Sequence, residues 1–239
     1  MCGRFVSATT TEQLLQFFGA VRAGRLHDTV AEAVLTGPRA YNIAPTTIVR
    51  TVVAGPDGRV IDVARWGLEP WPLKGRGGYV NARAEGITER PSFRSAYRHH
   101  RCLVPADGFY EWVGEKGRRQ PYFITRRDGR PSAFAGIWAP PVGGPADGLP
   151  TCAILTCAAN GDVESVHDRM PVMLEAAAWD TWLDPRPAGS AQADLLRSPA
   201  VGLLTFRPVR PEVGNVRSTG AGLLDPYMPP DGDTTPASG

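Results

Sequence analysis

Lysine is almost missing from this chain: of 26 cationic residues only Lys74 and Lys116 are lysines, and the other 24 are arginines. Long apolar runs are missing altogether, so no segment approaches the roughly 18 residues that a membrane-spanning helix needs. The start, Met1-Cys2-Gly3-Arg4-Phe5, lacks the apolar stretch of a secretory signal, and the expected location is the cytoplasm. Cysteine is scarce too. Cys2, Cys102, Cys152 and Cys157 form no CxxC pair and match no zinc spacing, so neither a disulfide framework nor a metal or other cofactor is expected. Long helices are excluded by punctuation, since 27 glycines and 23 prolines divide 239 residues.

What is present is an ordinary globular composition, 42% hydrophobic and 21% charged, long enough to bury roughly 70% of its unfolded surface. The net charge of +2 hides an asymmetry. Through Arg130 there are 20 basic and 12 acidic residues; beyond it there are 6 and 12. A basic, arginine-rich half suits a polyanionic partner, because the guanidinium fork matches phosphate. A GC-rich coding bias produces the same excess of arginine without any partner.

Thr9-Thr10-Thr11-Glu12 reads as a capping box opening a helix from Glu12 to Phe18. Gly19 to Ala40 is polar and unpatterned. Strands follow at Thr47–Val53 and Val60–Trp66 around a Pro56-Asp57-Gly58 turn, then a glycine-rich loop, Lys74–Gly78. Pro91 starts a helix reaching about Tyr97. Further strands are expected at 102–104, 108–113, 122–125, 133–138, 151–156 and 201–206, with helices at 174–183 and 191–197. The expected fold class is α+β: a single domain over residues 1–225 around a mixed, largely antiparallel, barrel-like β-sheet with a few short helices. Residues 226–239 form a disordered tail by composition.

Four positions carry candidate chemistry. Removal of Met1 would leave Cys2 with an α-amine and a thiol on one residue, both partly nucleophilic near neutral pH. Such an aminothiol condenses with an aldehyde to an imine and closes a thiazolidine ring; it also suits an N-terminal-nucleophile hydrolase. Glu111 lies between Tyr110 and Trp112, where desolvation would raise its pKa toward acid–base use. Asn81 follows the glycine-rich loop, and His167 stands close to Arg169. Each also has a plain reading: Cys2 an incidental terminal residue, Asn81 a turn residue, Glu111 an edge-strand charge, His167 a loop histidine.

Met1–Phe5, Tyr41-Asn42-Ile43-Ala44-Pro45, Arg65-Trp66-Gly67-Leu68, Asn81-Ala82-Arg83, Asp107–Trp112, His167-Asp168-Arg169-Met170-Pro171 and Val213-Gly214-Asn215-Val216 occur in an order that resembles the SRAP family, the SOS response-associated peptidases. The resemblance runs from Cys2 to about Leu224. It implies a DNA damage response protein that cross-links covalently to abasic sites in single-stranded DNA through a thiazolidine on the N-terminal cysteine. It implies Cys2 as nucleophile with Asn81, Glu111 and His167 around it, Arg83 and Arg169 as DNA contacts, and Trp66 and Trp112 near the strand or the site. In that scheme Glu111 moves the proton that opens the sugar and later leaves with its hydroxyl. Asn81 holds the Cys2 terminus or the sugar oxygen, and His167 binds or protonates the sugar hydroxyl or phosphate side. Arg4 joins Arg83 and Arg169 as a phosphate clamp, and a monomer that meets the nucleoid only through DNA is expected. Residues 19–40 and 140–150 depart from the family pattern, and Ser218 stands where the family commonly has Asn. Two other classes remain open: a cysteine peptidase or autopeptidase using Cys2 with His167 or Glu111, and a non-catalytic single-strand-binding module.

Overall fold

The computed structural model describes residues 2–23, 29–70, 78–115, 118–141 and 148–228. Both lysines, most of the glycine-rich loop, the middle of the 140–150 segment and residues 229–239 lie outside them. The chain opens with β1 (Phe5–Ser7) and α1 (Thr11–Phe18). The capping box sits one residue later than the sequence suggests. Thr10 is the N-cap, its hydroxyl accepting from the Gln13 N–H at 3.3 Å while Gln13 Oε1 accepts from the Thr10 N–H at 3.0 Å. Thr9 is taken by Asp107, whose carboxylate accepts from its N–H at 2.9 Å. The stretch expected to be unpatterned contains β2 (Arg22–Ala23) and α2 (Thr29–Thr36). Helix α2 buries Ala31 and rests Val30, Val34 and Leu35 on Val63 and Leu149, a stripe of only two turns.

Then follow β3 (Ala40–Ile43), β4 (Ile48–Gly55), β5 (Gly58–Trp66), β6 (Asn81–Arg83), α3 (Pro91–His99), β7 (Arg101–Ala106) and β8 (Gly108–Val113). The rest comprises β9 (Gln120–Arg126), β10 (Ser132–Ala139), β11 (Thr151–Ala158), β12 (Arg169–Pro171), α4 (Ala176–Leu183), α5 (Ser190–Ala193) and β13 (Leu204–Pro208). The helix expected from Leu174 begins later because the Leu174 N–H is bonded to the Ala133 carbonyl, and the one expected at 191–197 shrinks to a single turn. Residues 226–228, expected to belong to a tail, lie within the described residues, and two of them are tied to the domain. Pro226 bridges Val209, and the Tyr227 N–H bonds Pro208.

The class is α+β, as expected, but the β structure divides into two sheets. One has the order β13-β9-β8-β1-β3; the other runs β12-β11-β10-β7-β4-β5-β2, with β6 laid parallel on β11. In the larger sheet β5 also pairs in parallel with β11, at Thr151↔Arg65 and Cys152↔Trp66, so five strands return on themselves as a ring. The seam is two residue pairs deep, which is a ring and not a full barrel. Phe5, from the smaller sheet, meets Trp66 edge-on at 5.1 Å and Phe134 at 6.4 Å, while Phe109 meets Phe134 at 6.0 Å. These rings weld the two sheets, each pair adding about 0.5–1.5 kcal/mol beyond its burial.

Arg101 anchors the helices from inside. Its buried guanidinium donates to the carbonyls of Tyr97, Arg98, Trp182, Asp184 and Arg186. The first four are carbonyls at the C-terminal ends of α3 and α4, groups a helix cannot satisfy by itself, and the fifth lies just beyond α4.

Candidate active site at the seam of the sheets

Antiparallel pairing with β8 and β3 fixes β1, and with it the residue that precedes it by three positions, Cys2. Asn81 opens β6, held by its pairing with Ile154. Its Nδ2 donates to the Cys2 carbonyl at 2.8 Å, so one amide ties the start of the chain to the larger sheet. The Oδ1 of the same amide is buried and has no partner among the described residues. Cys2 is completely buried, and burial, with the Glu111 charge behind it, pushes its thiol far up.

Glu111 lies on β8, a strand covered on both sides by β9 and β1. It is buried, which excludes the edge-strand reading, and burial pushes its carboxyl up to about 7, with Asp168 adding to the rise. His167 Nε2 lies 3.8 Å from Glu111 Oε2. The Arg169 N–H donates to His167 Nδ1 at 2.9 Å, and burial pushes the imidazole down toward its neutral form. A neutral ring that accepts at Nδ1 carries its proton on Nε2, the side of Glu111. The Asp168 carboxylate, 2.8 Å from Nδ1, is placed to receive that nitrogen's proton whenever the ring becomes charged. Cys2 just ahead of β1, Asn81 on β6, Glu111 on β8 and His167 on a loop thus meet where the sheets join.

The arginines divide differently from the expectation. Arg83 is exposed and makes no ion pair among the described residues. Arg169, by contrast, is largely buried and engaged within the protein: its guanidinium grips Glu85 at 2.6 and 2.8 Å and reaches the Thr156 carbonyl at 2.6 Å, leaving only Nε without a partner among the described residues. It braces the His167 loop and is not a free phosphate clamp. Arg4 also turns inward, donating to Asn42 Oδ1 at 2.8 Å and the Val213 carbonyl at 2.9 Å, with its guanidinium 5.9 Å from the Trp112 ring centroid. Asn42 in turn donates to the Asn215 and Ser218 carbonyls at 3.0 Å each. Arg4 is therefore a clasp between the first strand and the 213–218 segment. Ser218 enters that clasp through its main chain, so the departure at its side chain leaves it intact.

Trp66 is corrected most sharply. It is fully buried, with Nε1–H donating to the Val80 carbonyl at 2.8 Å, and no base can stack on it. Trp66→Phe is expected to lower stability by about 1–3 kcal/mol in urea denaturation, through lost packing and one lost hydrogen bond to a carbonyl that keeps the Ile154 N–H, while DNA affinity stays within twofold. An affinity loss without a stability loss would return Trp66 to the binding surface. Trp112 is half-buried beside Arg4 and Tyr110.

Asn42, Glu85 and Asp107 carry no role in the sequence reading, although Asn42 and Asp107 lie inside quoted motifs and Glu85 lies two residues beyond one. Gly108 beside Asp107 is required sterically, because a Cβ there would meet the Ile124 carbonyl oxygen at 2.5 Å.

The family model described as SOS response associated peptidase (SRAP) matches residues 1–216. The chain belongs to that family. The SRAP chain is 31% identical to "Abasic site processing protein YedK" of Escherichia coli over 238 residues, 95% of this chain and 100% of that one. It is 34% identical to "Abasic site processing protein YoqW" of Bacillus subtilis over 196 residues, 78% of this chain and 81% of the relative. Chicken "Abasic site processing protein HMCES" is 34% identical over 189 residues, 67% of this chain and 55% of that protein. A crystal structure of a Bacteroides thetaiotaomicron protein superposes with a TM-score of 0.78 at 21% identity, covering 95% of this chain and all of that one, a likeness of fold. No helix among the described residues is long and apolar enough to cross a membrane.

Proposed function

We propose that this protein processes abasic sites in single-stranded DNA by linking covalently to them, through a thiazolidine built on Cys2 after Met1 is removed. The observation that carries this reading is the Asn81–Cys2 hydrogen bond, which holds residue 2 beside a buried carboxyl and a neutral imidazole. The names of the SRAP relatives supply the abasic substrate.

The order of steps follows from the acidities. The Cys2 thiol is held protonated, so the free α-amine, of pKa near 8, is the first nucleophile. It attacks the aldehyde carbon of the ring-opened deoxyribose; nitrogen loses a proton and the carbonyl oxygen becomes a hydroxyl. Glu111, its carboxyl poised near neutrality, gives that hydroxyl a proton, water departs and the imine forms. The thiol then adds across C=N, sulfur bonding to carbon and its proton passing to nitrogen, with one water lost overall. His167 is placed to exchange the Glu111 proton, and the Asn81 Oδ1 acceptor suits the incoming amine. A thiolate peptidase needs the opposite of what surrounds Cys2, since burial and a neighbouring carboxylate both oppose ionisation.

The test is a denaturing gel of processed protein with an abasic single-stranded oligonucleotide. A shifted band resistant to SDS and heat, absent with intact DNA and absent for Cys2→Ala, is the expected result. No band with wild type, or an equal band for Cys2→Ala, defeats the proposal. Arg83→Glu should weaken non-covalent binding several-fold and flatten the log–log salt dependence by about 0.7, one phosphate contact. An unchanged slope would remove Arg83 from the DNA path.

A further inference from the structure

Helix α3 breaks the usual charge rules. Arg90 occupies its N-cap, its first turn has no acid, and Arg94 and Arg98 follow at four-residue spacing. A cation at a helix start opposes the macrodipole, and like charges at i and i+4 repel. All three arginines are exposed, and none pairs with a carboxylate among the described residues. Phe93, Ala96 and Tyr97 fill the buried face, and Arg101 fixes the C-terminal end, so the row points outward from a rigid element. Only Arg98, in the last turn, suits the macrodipole; the helix gains nothing from Arg90 and Arg94.

The ridge also starts beside the candidate site. Phe93 meets the Tyr79 ring edge-on at 5.0 Å; Tyr79 is 40% exposed and precedes Asn81 by two residues. Exposed Arg83 lies on the strand that Asn81 opens. Eight helical residues advance about 12 Å. That is the axial length of three to four nucleotides at roughly 3.4 Å each.

We infer that Arg90, Arg94 and Arg98 form a second binding site, for the sugar–phosphate backbone of the DNA strand where it runs on beyond the reacting nucleotide, with Tyr79 as the stacking platform between the two. The inference rests on the abasic-DNA reading above. The guanidinium forks suit phosphates, and an exposed aromatic among cations suits an unpaired base. A ridge on one side of the site serves one polarity of the strand.

The test uses the full chain and its Arg90→Gln/Arg94→Gln/Arg98→Gln variant. Gln keeps helix propensity, and thermal melting checks the fold. Three oligonucleotides carry an unreactive, reduced abasic residue: one minimal, one extended by about ten nucleotides on the 5′ side only, one on the 3′ side only. The variant is expected to bind one of the extended oligonucleotides roughly tenfold more weakly, its salt slope lower by about 2. Binding of the other two should stay within twofold, and adduct formation with a minimal reactive oligonucleotide at saturation should be unchanged. Equal losses on all three would indicate a diffuse field, and no loss on any would leave ordinary surface charge; either overturns the inference. Failure of the abasic-DNA reading shows separately, as absence of a wild-type adduct with the minimal reactive oligonucleotide.

Discussion

Protein that keeps Met1, or carries any tag ahead of Cys2, is expected to form no SDS-resistant adduct with abasic single-stranded DNA. Acylation turns the Cys2 nitrogen into an amide, whose lone pair is delocalised and cannot make an imine. The thiol remains, but it is buried and held protonated, and addition of a thiol alone to an aldehyde is readily reversed by SDS and heat. Non-covalent binding should survive within a few-fold, because exposed Arg83 and the α3 ridge are untouched. Intact mass spectrometry of the blocked and processed forms, followed by the gel, makes the comparison. An adduct formed equally fast by the blocked form would end the aminothiol mechanism and favour a thiol-only peptidase.

Glu111→Gln is expected to slow adduct formation by roughly 10²–10⁴-fold in single turnover near pH 7, the usual effect of losing a positioned acid–base group. Gln keeps the size but carries no transferable proton. Because the Glu111 carboxyl must be protonated and the amine unprotonated, the wild-type rate should peak between pH 7 and 8 and fall on the alkaline side, and that alkaline limb should vanish in the variant. Stability should fall with rising pH as well. The folded-state pKa, about 7, is raised above the ordinary 4.5, so the contribution of neutral Glu111 is complete below 4.5 and is lost as pH climbs through 7. The difference corresponds to about 3 kcal/mol, so the variant should out-melt wild type at pH 8 but not at pH 4. Equal rates and parallel melting curves would reduce Glu111 to a buried spectator.

Local punctuation made much of the fold legible. The β4–β5 hairpin and the start of α3 follow from Pro56-Asp57-Gly58 and Pro91, whose effects are confined to a few residues. Helix α2 was missed because its two-turn stripe is too short to stand out from a polar stretch. Residue types alone left Asn81, Glu111 and His167 ambiguous, and motif order separated the readings. Arg4 and Arg169 turned out to face inward for a different reason. Arg169 finds Glu85 across 84 positions and Arg4 finds Val213 across 209, so a composition shared by surface and interior gave no hint of which were spent on the protein itself. Trp66, which the resemblance places near the strand or the site, is kept from the strand because ring closure buries it.

The burial of Cys2 sets a deadline. A peptidase that removes Met1 needs the first peptide bond in an extended, accessible form, and the finished fold tucks residue 2 under partners as distant as Asn81. Contacts of that span form late, because their loops are costly to close. On the proposed aminothiol chemistry, trimming is therefore expected while the chain is still being made or before its two sheets meet. A molecule that folded first would be trapped with a capped nitrogen, soundly built and chemically silent. The fraction of competent protein would then record a race between an aminopeptidase and folding.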